Sequence, residues 1–316
     1  MKILMLDTIT YGDDISLDKF KTLGEVITYR TSTQEEALQR IKETQPDVVV
    51  TNKVVITKEL FEASPNIKMV AETATGYNNI DIEYAKAHQI RVANVAGYST
   101  ESVVQHTFYV YEKLRYYDEY VKSGEYVKSP CFTHFDKVFN ELSGKTWGIA
   151  GLGSIGRRVA DVAKAFGCRV VYFSASGHTY DTEFKRVSFD ELLENSDIIS
   201  IHAPLNDKTN NLFDDAAFAK MKKNAVLLNL GRGPIVNNAA LTKALKENII
   251  AAAGLDVIDK EPIAADNPLL EIQDSSKLII TPHIAWATYE ARVRLMDEVY
   301  ENIKAFEAGE SRNAVV

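Results

Sequence analysis

The sequence predicts an α/β protein of two doubly wound parallel-sheet domains. Three observations carry that prediction. The chain has 316 residues, more than one typical hydrophobic core serves and enough for two domains of ordinary size. Short β-branched apolar runs alternate with helical patterns, which is the mark of parallel βα units. Near its middle, a glycine-rich turn stands between a strand pattern and a helix pattern. Hydrophobic residues make up 46% and charged residues 25%, the balance of a globular protein.

Taken in order, residues 3–6 read as a strand, 17–23 as a short helix and 34–43 as a second helix. Pro46-Asp47 leads into Val48-Val49-Val50, a continuous run of the kind found in strands covered on both faces. Residues 58–63 are helical, 67–71 a strand, 82–88 helical and 90–95 a strand. From 99 to 122 the pattern changes. Val103, Val104, Thr107, Phe108, Val110, Tyr111 and Leu114 keep helical spacing, so one long core helix is expected. Its tyrosines, Tyr109, Tyr116, Tyr117 and Tyr120, are a candidate subunit contact, because aromatic residues are enriched at interfaces. Residues 123–144 read as irregular. Six further strands follow at 147–150, 169–173, 198–202, 225–229, 251–256 and 278–281, the count of a dinucleotide-binding sheet. An amphipathic helix at 288–308 is stopped by Gly309, and we expect it to return to the first domain. Residues 1–98 with 288–316 would then form a substrate (catalytic) domain, and 99–287 a dinucleotide-binding domain.

The net charge of −8 gives no support to nucleic-acid binding, which needs clustered Lys and Arg. A local Arg can still dominate a site for a small anion. The apolar run at residues 3–6 is cut by Asp7, too short for a signal peptide, and no stretch approaches the roughly 20 apolar residues of a membrane span. Cys131 and Cys168 form no C-x-x-C and read as unpaired thiols of a reducing compartment. A cytoplasmic protein with no membrane partner and no metal is expected.

Gly151-Leu152-Gly153-Ser154-Ile155-Gly156 is G-x-G-x-x-G. Alone it is a weak signal, but a strand runs into Gly151, a helix opens at Ser154 or Ile155, and Gly167 closes that helix before the next strand. The first glycine permits the turn, the second lets backbone approach a pyrophosphate, and the third lets helix and strand pack closely. The helix N-terminus then offers free N–H groups to the phosphates. This is the Rossmann-like signature. The following strand should end in an acid that holds the adenosine ribose. It ends instead in Ser174-Ala175-Ser176, with His178, Lys185 and Arg186 nearby. NAD is the expectation, and NADP stays open.

Three segments follow strand ends, where ligands bind in open α/β sheets: Asn229-Leu230-Gly231-Arg232-Gly233, Leu255-Asp256-Val257 with Glu261-Pro262, and Thr281-Pro282-His283-Ile284-Ala285. Singly, Arg232 reads as a surface charge, Glu261 as a loop charge and His283 as a helix-start residue. Together they make a carboxylate clamp and a proton relay.

These motifs, with Ala74-Thr75-Gly76-Tyr77-Asn78-Asn79-Ile80-Asp81, resemble the D-isomer-specific 2-hydroxyacid dehydrogenase family over essentially the whole chain. Thr51-Asn52-Lys53, Val104-Gln105-His106-Thr107-Phe108 and His283-Ile284-Ala285-Trp286 look most like its glycerate dehydrogenase (hydroxypyruvate reductase) branch. The resemblance implies an oxidoreductase that moves hydride between a nicotinamide cofactor and a small 2-keto or D-2-hydroxy acid, such as hydroxypyruvate or glyoxylate. It implies that Arg232 binds the substrate carboxylate and keto oxygen, where Lys could not reproduce the planar fork. His283 would be the general acid and Glu261 would orient its ring. Backbone N–H groups of Thr75 and Gly76 would hold the carboxylate, and Asn52 and Lys53 are candidates to reach the substrate. Gly151, Gly153, Ser154, Ile155, Gly156, Ser174, Ala203, Leu230, Gly231, Asp256 and Ala285 would line the cofactor site, with Asp256 toward the nicotinamide amide. A homodimer and a cleft closing between the domains are also implied. Two departures stand out: Ser174 replaces the usual acid, and Gln105 replaces the glutamate often seen before the histidine. The alternatives are a nucleotide-sensing corepressor-like protein, which the family also includes, and a 3-phosphoglycerate dehydrogenase, which usually carries an added regulatory domain not expected here.

Overall fold

The computed structural model describes residues 1–111, 114–130, 132–134, 136–137, 139–180 and 182–316. In chain order, its first elements are β1 (Lys2–Met5), β2 (Glu25–Thr28), α1 (Gln34–Thr44), β3 (Val48–Thr51), α2 (Lys58–Glu62), β4 (Met69–Glu72), α3 (Ile82–Ala87), β5 (Arg91–Ala93), α4 (Thr100–Tyr109) and α5 (Leu114–Lys122). They are followed by β6 (Thr146–Ala150), α6 (Ser154–Ala165), β7 (Arg169–Phe173), β8 (Lys185–Arg186), α7 (Phe189–Asn195), β9 (Ile198–Ile201) and α8 (Asp215–Lys220). The last are β10 (Val226–Asn229), α9 (Asn238–Lys246), β11 (Ala252–Leu255), β12 (Leu278–Ile280) and α10 (Tyr289–Glu307). The chain divides into two compact units, Met1–Ser99 with Ala287–Val316, and Thr100–Trp286.

The first unit is built on a five-stranded parallel sheet in the order β2-β1-β3-β4-β5. Strand order reverses between β1 and β3, so the loops after these strands flank a switch point, where ligands bind in such sheets. β3 and β4 are buried along their whole length, which explains the unbroken Val48-Val49-Val50 run. The capping box of Thr33 and Glu36 starts α1. α10 packs over β4 and buries Ala291, Leu295, Met296, Val299 and Ile303. Beyond it, Ala314 forms an isolated antiparallel bridge to Ala93.

The second unit carries a seven-stranded parallel sheet in the order β12-β11-β10-β9-β6-β7-β8. Its switch point lies between β6 and β9. One apolar core gathers Phe213, Phe218, Leu227, Leu241 and Leu245. The other gathers Val103 and Val104 of α4 with Trp147, Ile149, Val159 and Tyr172. Trp147 is fully buried and satisfies its indole N–H on Ser200 Oγ at 2.9 Å.

Several sequence expectations change. Residues 17–23 hold a 3₁₀ turn, Asp18–Thr22, instead of an α-helix. β2 was not foreseen, because its four residues are half exposed and carry Glu and Thr at the ends. The long helix expected from 99 to 122 is two helices, since Val110 and Tyr111 leave the α-helical path. β8 adds a seventh strand of only two residues, too short for a periodic signal. The tyrosines of α5 are partly spent internally. Tyr120 stacks on His134 with centroids 3.7 Å apart, and the Tyr116 hydroxyl lies 3.0 Å from His134 Nε2. Cys168 is a buried free thiol whose Sγ–H donates to Leu142 O, and Cys131 lies outside the described residues.

Phe213 is fully buried and meets Phe189 edge-on at 5.4 Å. Phe213→Ala should lower unfolding stability by about 3–5 kcal/mol, read as a fall in the urea midpoint at unchanged slope.

Candidate active site

Gly151 follows β6 and turns the chain with φ +100°, a conformation that L side chains rarely adopt. A Cβ there would lie 2.7 Å from Ala203 N, so the turn can press against the end of β9. A Cβ on Gly156 would lie 2.1 Å from Gly151 O, so α6 sits directly on its own turn. Gly153 is different, for a Cβ there would meet nothing within 4 Å. The protein leaves that space open beside the N-terminus of α6, which Ser154 and Ile155 begin. Gly231, after β10, approaches Ala203 O, and Leu230 and Ala203 border the same crevice. His202 adds two buried ring nitrogens with no hydrogen-bond partner, and burial pushes its pKa down to about 3, so the ring is neutral. Open space at a phosphate turn and orphaned polar atoms beside it fit a bound dinucleotide.

Ser174 ends β7 and is buried, with Oγ 3.1 Å from Ser176 Oγ. Arg186 on β8 lies over the same turn. Its Nη1 donates to Thr179 Oγ1 at 3.0 Å, and its Nη2 would lie 3.8 Å from a Cβ on Gly177. Arg157 stacks on Tyr180, its guanidinium carbon 4.7 Å from the ring centroid.

His283 sits just past β12 in the left-handed region, φ +53°. Its Nδ1 is 2.7 Å from Glu261 Oε2, and Glu261 Oε1 accepts from Ile258 N at 3.2 Å. The carboxylate therefore fixes the ring through one nitrogen and leaves Nε2 for other work. Arg232 follows β10. Its Nη1 donates to Gly231 O at 2.9 Å, and it has no ion-pair partner among the described residues. Arg232, Gly233, Pro234, Val257, Ile258, Asp259, Glu261 and His283 line a cavity of about 230 Å³.

Asp256, expected toward the nicotinamide amide, also organises the segment beyond β12. Its buried carboxylate accepts from Thr281 Oγ1 at 2.6 Å, Ile284 N at 2.9 Å and Ala285 N at 2.9 Å. His106 Nε2 lies 2.8 Å from Thr281 Oγ1 and 3.5 Å from Asp256 Oδ1. Because the Thr281 hydroxyl donates to Asp256, His106 Nε2–H donates to Thr281. Burial lowers the His106 pKa and nearby Asp256 partly opposes this. Only the segment around Gln105-His106 hinted at this residue.

In the first unit, Thr75 Oγ1 donates to Val95 O at 2.9 Å, while the N–H groups of Thr75 and Gly76 have no partner among the described residues. Asn52 Nδ2 donates to Thr73 O at 2.8 Å. Lys53 is exposed, and its N–H donates to Asp7 Oδ2 at 2.7 Å. Asp7 was not foreseen as a site residue.

The NAD-binding domain model of the D-isomer specific 2-hydroxyacid dehydrogenases matches residues 104–285, more than half of the chain. The chain belongs to this family. It is 39% identical to a hydroxypyruvate reductase of Blautia hydrogenotrophica, over 100% of this chain and 99% of that one. Among solved structures, an acyclic imino acid reductase in complex with NADPH and D-Arg matches with a TM-score of 0.87 and 31% identity, covering 100% of both chains. The D-lactate dehydrogenase of Aquifex aeolicus complexed with NAD and lactic acid matches with a TM-score of 0.82 and 26% identity, over 98% of this chain and 96% of that one. This chain is thus an oxidoreductase that acts on the CH–OH group of small 2-hydroxy acids with a nicotinamide dinucleotide. Among the described residues, no helix is long and apolar enough to cross a membrane.

Gly153→Ala should fold as wild type without cofactor, because its Cβ has room. It should weaken NADH and NADPH binding about tenfold in calorimetry, because that room is the ligand's. Gly156→Ala should instead lower the melting temperature.

Proposed function

We propose that the enzyme reduces a small 2-keto acid of the hydroxypyruvate or glyoxylate class to the D-2-hydroxy acid, and runs in reverse on that product. The observation that carries this is the His283–Glu261 pair at 2.7 Å with Arg232, which has no ion-pair partner among the described residues, on the wall of the same cavity of about 230 Å³. The names of relatives, hydroxypyruvate reductase and glyoxylate reductase, support the substrate class.

Reduced nicotinamide, when bound, supplies the hydride that reaches C2 of the keto acid. The residues of the chain do the rest. Arg232 receives the keto oxygen and a carboxylate oxygen on its planar fork and stabilises the negative charge that grows on the former. His283 Nε2–H gives its proton to that oxygen, so a carbonyl plus hydride plus proton becomes an alcohol. Glu261 holds the ring in place before and after the proton leaves. In the other unit, the open N–H groups of Thr75 and Gly76 are suited to a carboxylate. Gly151, Gly153 and Gly156 with the start of α6 hold the pyrophosphate. Asp256 Oδ2 accepts one N–H in the structure, which leaves it capacity for the nicotinamide amide.

Cofactor choice follows from the β7 end. No carboxylate at Ser174 repels a 2′-phosphate, and Arg186 has no ion-pair partner among the described residues. We propose that NADPH is used at least as well as NADH. A homodimer is also proposed, through the segment where Tyr109, Val127, Phe132 and Phe139 are exposed. The cytoplasm, which holds the cofactor pool, is the proposed location.

Hydroxypyruvate-dependent oxidation of NADH and NADPH, followed by absorbance, tests the reading. His283→Gln should lower kcat by about 10² to 10⁴, and a near-normal rate would place the proton donor elsewhere. Ser174→Asp should reverse the cofactor ratio toward NADH, and an unchanged ratio would remove Ser174 from cofactor selection.

A further inference from the structure

At the switch point of the first sheet, two buried carboxyl groups meet loops that carry candidate substrate contacts. Asp7 follows β1, and Glu72 ends β4 in register with Thr51 of β3. Both are buried, Glu72 with no exposed surface at all. They are served very differently. The Asp7 carboxylate accepts N–H bonds from Asn52, Lys53 and Val54 at 2.7–3.3 Å and faces the Thr51 hydroxyl at 3.5 Å. Burial raises the Asp7 pKa, and the bonds from Lys53, Asn52, Val54 and Thr51 oppose that rise, so of the two acids Asp7 is the better served as an anion, and it gathers the loop after β3. Glu72 Oε2 accepts from Asn79 Nδ2 at 3.1 Å, and Oε1 is buried with no partner. When two buried acids sit together and only one has several donors, the proton goes to the other.

The Asn79 amide also reaches Asn52 O at 3.3 Å and Val54 O at 3.2 Å. Asn79 O in turn accepts from Ile56 N at 2.7 Å. One side chain therefore joins Glu72, the loop gathered by Asp7, and the segment that follows β4. Between Glu72 and Asn79 lie Thr75 and Gly76.

We propose that Glu72 is a positioning residue for substrate binding: by accepting the Asn79 amide it fixes the segment from Thr75 to Asn79, and so aims the open N–H groups of Thr75 and Gly76 at the substrate carboxylate. The proposal rests on the reading of those two groups given above. Glu72 does this as a neutral acid. Burial, the largest influence, pushes its pKa up to about 9, the Asn79 bond lowers it, Asp7 raises it, and Lys53 lowers it. Among the described residues the charged groups that act on it are Asp7 and Lys53, and the buried Tyr11 phenol, without a hydrogen-bond partner, lies beside Asp7. The buried residues of α10 include no ionisable side chain, and Arg91 on β5 pairs with Met69, at the opposite end of β4. Above pH 9 a second buried charge would form beside Asp7, and the repulsion between the two carboxylates would work against the packed pocket.

The test compares wild type with Glu72→Gln and Glu72→Leu. Gln keeps the acceptor and cannot ionise, whereas Leu removes the acceptor. Glu72→Leu should raise KM for the 2-keto acid about tenfold, with kcat and the Kd for NADPH unchanged, as expected for one lost positioning hydrogen bond. Glu72→Gln should keep the wild-type KM, because it keeps the acceptor for the Asn79 amide. A raised folded-state pKa means that the stability linked to the Glu72 proton is full below the unfolded value and is lost as pH rises through about 9. Glu72→Gln should therefore melt above wild type by a margin that widens from pH 6 to pH 9. A wild-type KM in Glu72→Leu overturns the proposal, as does a KM in Glu72→Gln as high as that of Glu72→Leu, or a margin that stays flat with pH. If Glu72→Leu does not fold, the Gln variant decides alone. Wild-type protein that turns over no 2-keto acid overturns the substrate reading, and a widening margin would still uphold Glu72 as a neutral tie.

Discussion

A single buried carboxylate holds the segment on which the chemistry depends. Asp256, at the end of β11, collects the Thr281 hydroxyl and the N–H groups of Ile284 and Ala285 from the chain beyond β12. His283 lies inside that collected segment and takes a left-handed backbone, a conformation that costs a non-glycine residue on the order of 1 kcal/mol or more. The charge-assisted bonds to Asp256 offset that cost, each being stronger than a neutral bond. They work only because β11 and β12 are in parallel register, Leu255 opposite Ile280. Sheet, clamp and imidazole form one chain of dependence, and Glu261 completes it by fixing the ring.

The first unit repeats the device with different residues. Asp7 gathers three consecutive N–H groups after β3, as Asp256 gathers two after β12. In both places a strand-end carboxylate turns a flexible loop into a rigid one without exposing its own charge. The two differ in their neighbours. Asp256 has a histidine linked through a hydroxyl, and Asp7 has a second acid. In the first arrangement burial keeps the histidine toward its neutral form, and in the second a proton is kept in the interior.

Much of this was legible in the sequence because it is local. The Gly151 to Gly156 turn, the β-branched strands and the residues past each strand end are properties of short segments. Arg232, Glu261 and His283 stood out because three such segments end at one sheet edge. The elements that escaped lack a local signal. β8 has two residues, β2 is half exposed, and the break after Tyr109 interrupts a pattern that looks continuous in helical spacing. The polar ties escaped for a different reason. His106 reaches Thr281 across 175 positions, and Asp7 reaches Lys53 across 46, distances over which sequence spacing says nothing about contact. The bond from the Asn52 amide to Thr73 is of the same kind, a contact across 21 positions that spacing does not announce.

The discontinuous first unit sets an order of events during synthesis. Its sheet emerges from the ribosome first, then the whole of the second unit, and only then α10, whose apolar face covers β4. Until that helix appears, Met69 to Glu72 lack one wall. The second unit, continuous from Thr100 to Trp286, meets no such delay. In the nascent chain the whole dinucleotide unit therefore precedes the last piece of the opening domain, and a chaperone that engages this protein before that piece emerges would find its apolar target on the uncovered face of β4.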